Sequence, residues 1–283
     1  MANLACATLV VGFPAGESAS DERYDFPAKL LQLAFEKTEE EGEVEIRRVG
    51  LGQVQARMIW MLEHNYTFDV VSLPVSSEAH ARLRPISVPI RLGLLGWRVL
   101  IIRQQDLAGF AKVNTLVELS QFTPGYGESW GDLNVLEHNL GPAVLSSNYD
   151  SLFEMLHAGR FDYLHRGFHE PWDELNAPNR QSLDLVVEPR LMLHYPNASI
   201  FYVAKNNLSL AERIEKGLRR ALSDGSFHHL LAKQYGGLRD YLQGCEKRVF
   251  HLENPFLPED FPLDDETLWI TPFDLYAHVN CEG

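Results

Sequence analysis

The sequence predicts a two-lobed α/β protein, and three observations predict it. Strand-like and helix-like patterns alternate along most of the 283 residues, which favours mostly parallel sheets flanked by helices. Two strongly apolar strands, Trp97–Ile102 (WRVLII) and Ile200–Ala204 (IFYVA), enclose a stretch with its own alternation. Beyond the second strand the chain turns helical again. A chain that leaves one lobe, builds a second and returns gives two lobes joined by two crossings. A ligand cleft then lies between the lobes, and hinge closure is the natural motion. The lobes are expected at 1–103 plus 205–283 and at 104–204.

Taken in order, Ala7–Phe13 reads as a buried first strand, followed by a polar loop from Pro14 to Asp25. Asp25 can cap a helix whose second position is Pro27. The apolar face of that helix is Phe26, Leu30, Leu33 and Ala34. Val44, Ile46 and Arg48 alternate with polar residues as a half-exposed strand. Leu51, Val54, Met58, Met61 and Leu62 mark a second helix, and Phe68–Leu73 a short strand ending at Pro74. After Ile102, Leu107–Ser120 is a connector with a short helix. Gly125–Gly131 is a glycine-rich turn opening the helix Asp132–Asn139, and Ala143–Leu145 is a strand. A helix around Asp150–His157 is closed by Gly159. Phe161–Leu164, Ser182–Val187 and Ile200–Ala204 are strands. Leu210, Ile214, Leu218 and Leu222 form one helical stripe ending at Asp224-Gly225. Ser226–Tyr235 is a further helix, stopped by Gly236-Gly237. Beyond Cys245 the chain is rich in Pro and acid and reads as irregular surface wrapping.

The net charge of −14 would be repelled by a phosphate backbone, which argues against nucleic-acid binding. No stretch reaches the roughly 18 uncharged apolar residues that a membrane helix needs. Leu4–Phe13 is apolar, but the first basic residue is Arg23, so a strand is favoured over a signal peptide. Cys6, Cys245 and Cys281 share no metal-ligand spacing. Cys245 and Cys281 could pair, although three free thiols is the favoured reading. His165 and His169 have i, i+4 spacing, but Gly167 and Pro171 argue against the helix a metal pair would need.

Several stretches, in their order, resemble the type II periplasmic binding protein fold, in the solute-binding protein family 3 group. They are Asp21-Glu22-Arg23-Tyr24, Pro89 to Arg98, Gly125 to Asp132, Leu156-His157-Ala158-Gly159-Arg160-Phe161-Asp162-Tyr163, and Gly217-Leu218 with Asp224-Gly225-Ser226-Phe227. The resemblance spans roughly 7–255. It implies capture of a small polar solute, amino-acid-like or an organic anion, by a periplasmic monomer without a cofactor. It also implies a membrane permease of an ABC transporter as partner. Two other roles are weighed beside it: a ligand sensor without transport, and an enzyme on the same fold, like the cyclohexadienyl or arogenate dehydratases. The enzyme reading would pair Asp162 with His165 as acid and base.

Amino-acid-binding members of that group place an Arg shortly after the third strand. Here Ala79 stands about there, with Arg82 or Arg84 as substitutes or surface residues. The candidate ligand-binding residues follow from loop position. Asp21, Arg23 and Tyr24 follow the first strand, and Ser72 and Ser76 lie at the end of the third. Gly127 and Ser129 belong to the glycine-rich turn, whose N–H groups would face the cleft at a helix start, with Asp132 as cap. Trp97 and Trp130 offer flat aromatic faces as cleft walls, with core packing the favoured reading for Trp97, which sits in the crossing strand. Asp162 and Arg166 flank the short strand of the second lobe. Arg166 suggests a cleft that wants an anion, unless Asp162 or Glu170 neutralises it.

Overall fold

The computed structural model describes residues 8–15, 24–50, 55–128, 130–235, 238–244, 246–259 and 261–276. The expected sites Asp21, Arg23 and Ser129, and all three cysteines, lie outside the described residues. Strand β1 (Leu9–Pro14) buries its last four residues. Helix α1 (Asp25–Glu36) buries Phe26, Leu30, Leu31, Ala34 and Phe35, one stripe at spacings of three to four. It crosses over to β2 (Val44–Val49), which pairs parallel with β1. Helix α2 (Gln55–Glu63), β3 (Val70–Pro74), α3 (Ser77–Arg82) and β4 (Arg84–Ile86) complete the first part.

The chain then crosses and enters β5 (Trp97–Arg103). Short helices α4 (Leu107–Phe110) and α5 (Leu116–Leu119) lead to β6 (Pro124–Gly127), α6 (Leu133–Leu140), β7 (Val144–Ser146) and α7 (Tyr149–His157). Next come β8 (Tyr163–Gly167), α8 (Pro171–Asn176) and the long β9 (Leu185–His194). The chain crosses back into β10 (Ser199–Val203), then α9 (Leu208–Ser223), α10 (Ser226–Tyr235), α11 (Arg239–Gly244) and β11 (Arg248–His251). Among the described residues no helix is long and apolar enough to cross a membrane.

The first lobe holds sheets β1–β2 and β3–β10–β4; the second holds β11–β9–β5–β8–β6–β7. Asp69 stitches β1 to the start of β3: its N–H donates to Gly12 O at 2.9 Å and its Oδ2 accepts from Gly12 N at 2.7 Å. The sheets divide the chain differently from the expected boundaries. β5, expected with the first lobe, pairs with β8 and β9 of the second; β10, expected with the second, pairs with β3 and β4. Both strands are apolar because they are buried on both faces, so their composition does not reveal their sheet.

Three further differences have local causes. Gly125–Gly127 is a strand rather than a turn. A Cβ at Gly127 would lie 2.5 Å from the Trp130 indole, so glycine is what lets that ring fold over the strand end. β9 runs on through Glu188-Pro189. The register against β5 shifts between Val99 and Ile101, and the buried Glu188 carboxylate accepts the N–H groups of Arg190 and Leu191. Proline is tolerated at such an irregularity because no ladder N–H is needed there. β11, within the part expected to be irregular, adds in parallel to the edge of β9.

One core cluster lies under α1, α9 and α10, and a second under α2 and α3. The second lobe packs one cluster under α6 and another under α7. The first cluster also takes in Trp97, Val99, Phe168 and Met192 of the second lobe, so an apolar seam runs between the lobes. Gly217 of α9 lies so close to α1 that a Cβ there would overlap the backbone of Ala34. Gly217→Ala should therefore destabilise by about 1–3 kcal/mol through overpacking. Helix propensity alone would predict a gain of up to about 1 kcal/mol. Urea denaturation distinguishes the two signs.

Candidate functional site

β6 and β8 run parallel and end at the same edge of the sheet, at Gly127 and Gly167. The indole of Trp130 lies across this edge. It meets Tyr126 edge-on at 4.6 Å, and the Arg166 guanidinium sits 4.1 Å from its centroid. Arg166 is already neutralised. Its Nε donates to both Glu174 oxygens at 2.9 and 3.0 Å, and its Nη2 reaches Glu174 at 2.7 Å and Glu170 at 3.2 Å. Tyr149 OH donates to the same Glu174, and Glu170 accepts from Gly167 N at 2.7 Å. Burial lowers the Arg166 pKa, but the two carboxylates outweigh it and leave the pKa above the ordinary value.

Behind this edge lies a second cluster, on the face covered by α6. Asp132 occupies the N-cap position of α6 but makes no cap bond. Its carboxylate instead accepts from Arg98 of β5, Tyr126 OH, Tyr195 OH and, at 3.4 Å, Asn197 Nδ2. The expected capping role thus gives way to a stronger demand: Arg98 is only 5% exposed and needs a counter-ion. Burial pushes the Asp132 carboxyl up, but Arg98, helped by His165 and the two hydroxyls, holds it at about 2. His165 stacks on Tyr126 at 4.8 Å, and neither ring nitrogen has a hydrogen-bond partner among the described residues. Burial and then Arg98 hold its pKa at about 3, so the ring is neutral at physiological pH.

The second crossing segment brings the lobes together here. Val75 N donates to Ala198 O at 2.9 Å, so the end of β3 rests on the residue beside Asn197, which reaches Asp132. The chain after β11 backs this segment from outside. Leu252 N donates to His194 O and Asn254 Nδ2 to Pro196 O, both at 2.7 Å. Farther on, Ile270 N donates to Leu92 O of the first crossing at 2.9 Å, and Phe273 meets Trp97 at 6.1 Å.

Of the expected residues, Gly127, Trp130 and Arg166 come together. Ser76 lies near the crossing, but its Oγ is engaged in capping α3 through Ala79 N at 3.2 Å. Ser72 sits half-buried in β3 opposite Phe201. Tyr24 packs in the first lobe, edge-on to Phe13 at 6.4 Å. Trp97 packs as core: it is 6% exposed and lies on His194 at 4.4 Å. Asp162 is at the wrong end of the sheet. It bonds Thr123 N at 2.8 Å and Arg103 at 3.2 Å, about 13 Å from Arg166 at 3.3 Å per strand residue. Ala79 is core, and Arg82 is paired with Glu63 and Glu78. Sequence reasoning missed Arg98, Tyr126, Tyr195, Asn197 and Glu174. The available signal was Arg98 itself, the charge inside WRVLII, since a strand buried on both faces must supply such a group with a partner.

No family model matches the sequence, and no curated protein matches it. Solved structures do match in shape. An ancestral arginine-binding protein bound to arginine is 17% identical, with TM-score 0.52 over 82% of this chain and 100% of that one. A Bacillus subtilis protein is 17% identical, with TM-score 0.53 over 86% and 96%. A histidine kinase sensor domain with similarity to periplasmic binding proteins is 17% identical, with TM-score 0.54 over 82% and 97%. The chain has the type II periplasmic-binding-protein fold. At such identities the likeness concerns the fold alone. Within this periplasmic-binding-protein fold, the Asp132 cluster sits where the β6–α6 loop meets the crossing segment.

Asp132→Asn should cost about 3–5 kcal/mol at pH 7, because Arg98 is left buried and unpaired. The pKa of Asp132 is depressed in the folded state, so its stabilisation is complete above about pH 4 and is lost as pH falls toward 2. The variant should therefore lose about 2 kcal/mol of that acid dependence. His165 adds a decline in both proteins as pH falls from about 6.5, since the unfolded chain takes up a proton that the buried ring refuses. Urea denaturation across pH 2–7 measures both effects.

Proposed function

We propose that the chain captures a small polar solute between its two lobes by hinge closure and releases it unchanged. The observation that carries this reading is the meeting of the end of β3, the β6–α6 loop and the crossing segment around Asp132, in a two-lobed fold. Strand ends from both lobes converge there, as in other open α/β ligand sites. An amino-acid-like solute is favoured over an organic anion. Arg166 is already engaged through Nε and Nη2 by Glu170 and Glu174, and the three carboxylates Asp132, Glu170 and Glu174 outnumber Arg98 and Arg166. The half-buried Trp130 supplies an aromatic face to which a cationic or zwitterionic group can add. The arginine bound by the ancestral neighbour is of this class. Delivery to an ABC-type permease from a periplasmic location is the role this reading implies.

A second reading is a ligand-sensing domain, favoured by the same fold in a histidine kinase sensor domain. Ligand would then alter binding to a protein partner. The dehydratase reading gains no support, because Asp162 and His165 make separate contacts, with Arg103 and Thr123 on one side and Tyr126 on the other.

A thermal-shift panel of basic, neutral and acidic amino acids, amines and dicarboxylates tests the proposal. At about 100 times its Kd, a ligand adds about 2.7 kcal/mol, or about 5 °C or more in Tm. The expected hit is a cationic or zwitterionic amino acid, recovered intact by mass spectrometry. Trp130→Ala should weaken it at least about tenfold, roughly 1.4 kcal/mol. A hit that is consumed, or only dicarboxylates binding, would sink the reading.

A further inference from the structure

The outer side of the hinge carries a pair of histidines that solute capture does not use. His194 ends β9 and His251 ends β11, and these parallel strands pair in register at those two residues. Their Nδ1 atoms face each other at 3.3 Å. The His194 ring is held by Trp97, at 4.4 Å between centroids, while His251 is exposed to solvent. Zinc binds imidazole nitrogen at about 2.0–2.1 Å in tetrahedral geometry, which puts two nitrogen ligands of one ion about 3.3–3.4 Å apart. The observed separation is that edge length.

We propose that His194 and His251 chelate one divalent transition-metal ion of the imidazole-preferring class, such as Zn²⁺, through their Nδ1 atoms, with water in the remaining positions. Imidazole suits zinc, copper and nickel, whereas magnesium and calcium want oxygen. Without the ion, one ring must donate an Nδ1–H to the other. On binding, that proton moves to Nε2 and both Nδ1 lone pairs turn to the metal. Among the described residues no group of three or more His, Cys, Asp or Glu forms a metal cluster, so the site is a two-histidine, exchangeable one. It sits one residue before the crossing segment, and among the described strands β11 pairs with β9. An ion there fastens the C-terminal strand to the hinge.

The test is calorimetric titration of tag-free, chelator-stripped protein with Zn²⁺ alone. One equivalent should bind in the micromolar range. His251→Ala, an exposed position, should weaken that equivalent at least about tenfold while leaving the metal-free Tm unchanged, and His194→Asn should weaken it likewise. Zn²⁺ should also slow amide exchange over 192–198 in the wild type but not in His251→Ala. Coincident isotherms for wild type and His251→Ala would overturn the proposal, as would loss of the equivalent only on replacing His228 and His229. No organic solute enters this experiment, so its outcome is independent of the solute-capture reading.

Discussion

A guanidinium inside a sheet sets the terms for the middle of this molecule. Arg98 belongs to β5, which is buried along nearly its whole length, and a buried cation without a counter-ion costs several kcal/mol. Asp132 supplies the negative charge, and to do so it must stand at the start of α6 and face inward. That requirement folds the loop after β6 down onto the strand ends, and it lays Trp130 over Gly127. Tyr126 and Tyr195, both almost fully buried, find their acceptor in the same carboxylate. Asn197 then ties the crossing segment to it. Helix position, loop path and hinge attachment all follow from neutralising one charge.

The same logic explains Arg166. Free arginines near a cleft attract anions, but this one is gripped by Glu170 and Glu174 and stacked on Trp130. Its carboxylates come from the loop and helix that follow β8, within eight residues of chain. The charge thus serves to hold α8 against the sheet edge, and the ring of Trp130 is held between the Arg166 guanidinium and the edge of Tyr126.

Much of the architecture was legible in the sequence because it is local. The helix Ser226–Tyr235 has the bounds read from the sequence, and Gly159 sits at φ +69 just past α7 as a helix terminator should. What was not legible depends on pairing. Trp97–Ile102 and Ile200–Ala204 look alike as text, and only strand partners assign them to different sheets. β11 is four residues with a single neighbour, too short for any pattern to mark. Of the candidate site, Gly127, Trp130 and Arg166 were readable from loop position. Asp162 misled because sequence proximity to Arg166 is distance along a strand, and extended chain separates rapidly. Tyr195 and Asn197 carry no signal until the chain returns from the second lobe.

The seam and the C-terminal segment bear on how the lobes can move. After α11 the chain enters the second lobe as β11, then comes back to bury Leu268 and Leu275 in the main core of the first. The lobes are therefore linked four times, where two crossings suffice for the fold. Two adjacent links permit both bending and torsion about their common line. Four links resist torsion more than two adjacent ones do, so in the proposed closure the lobes would approach along one path. Under the proposed capture, a joint so guided would lose little configurational freedom on shutting, and the entropic cost of each closure would be correspondingly small.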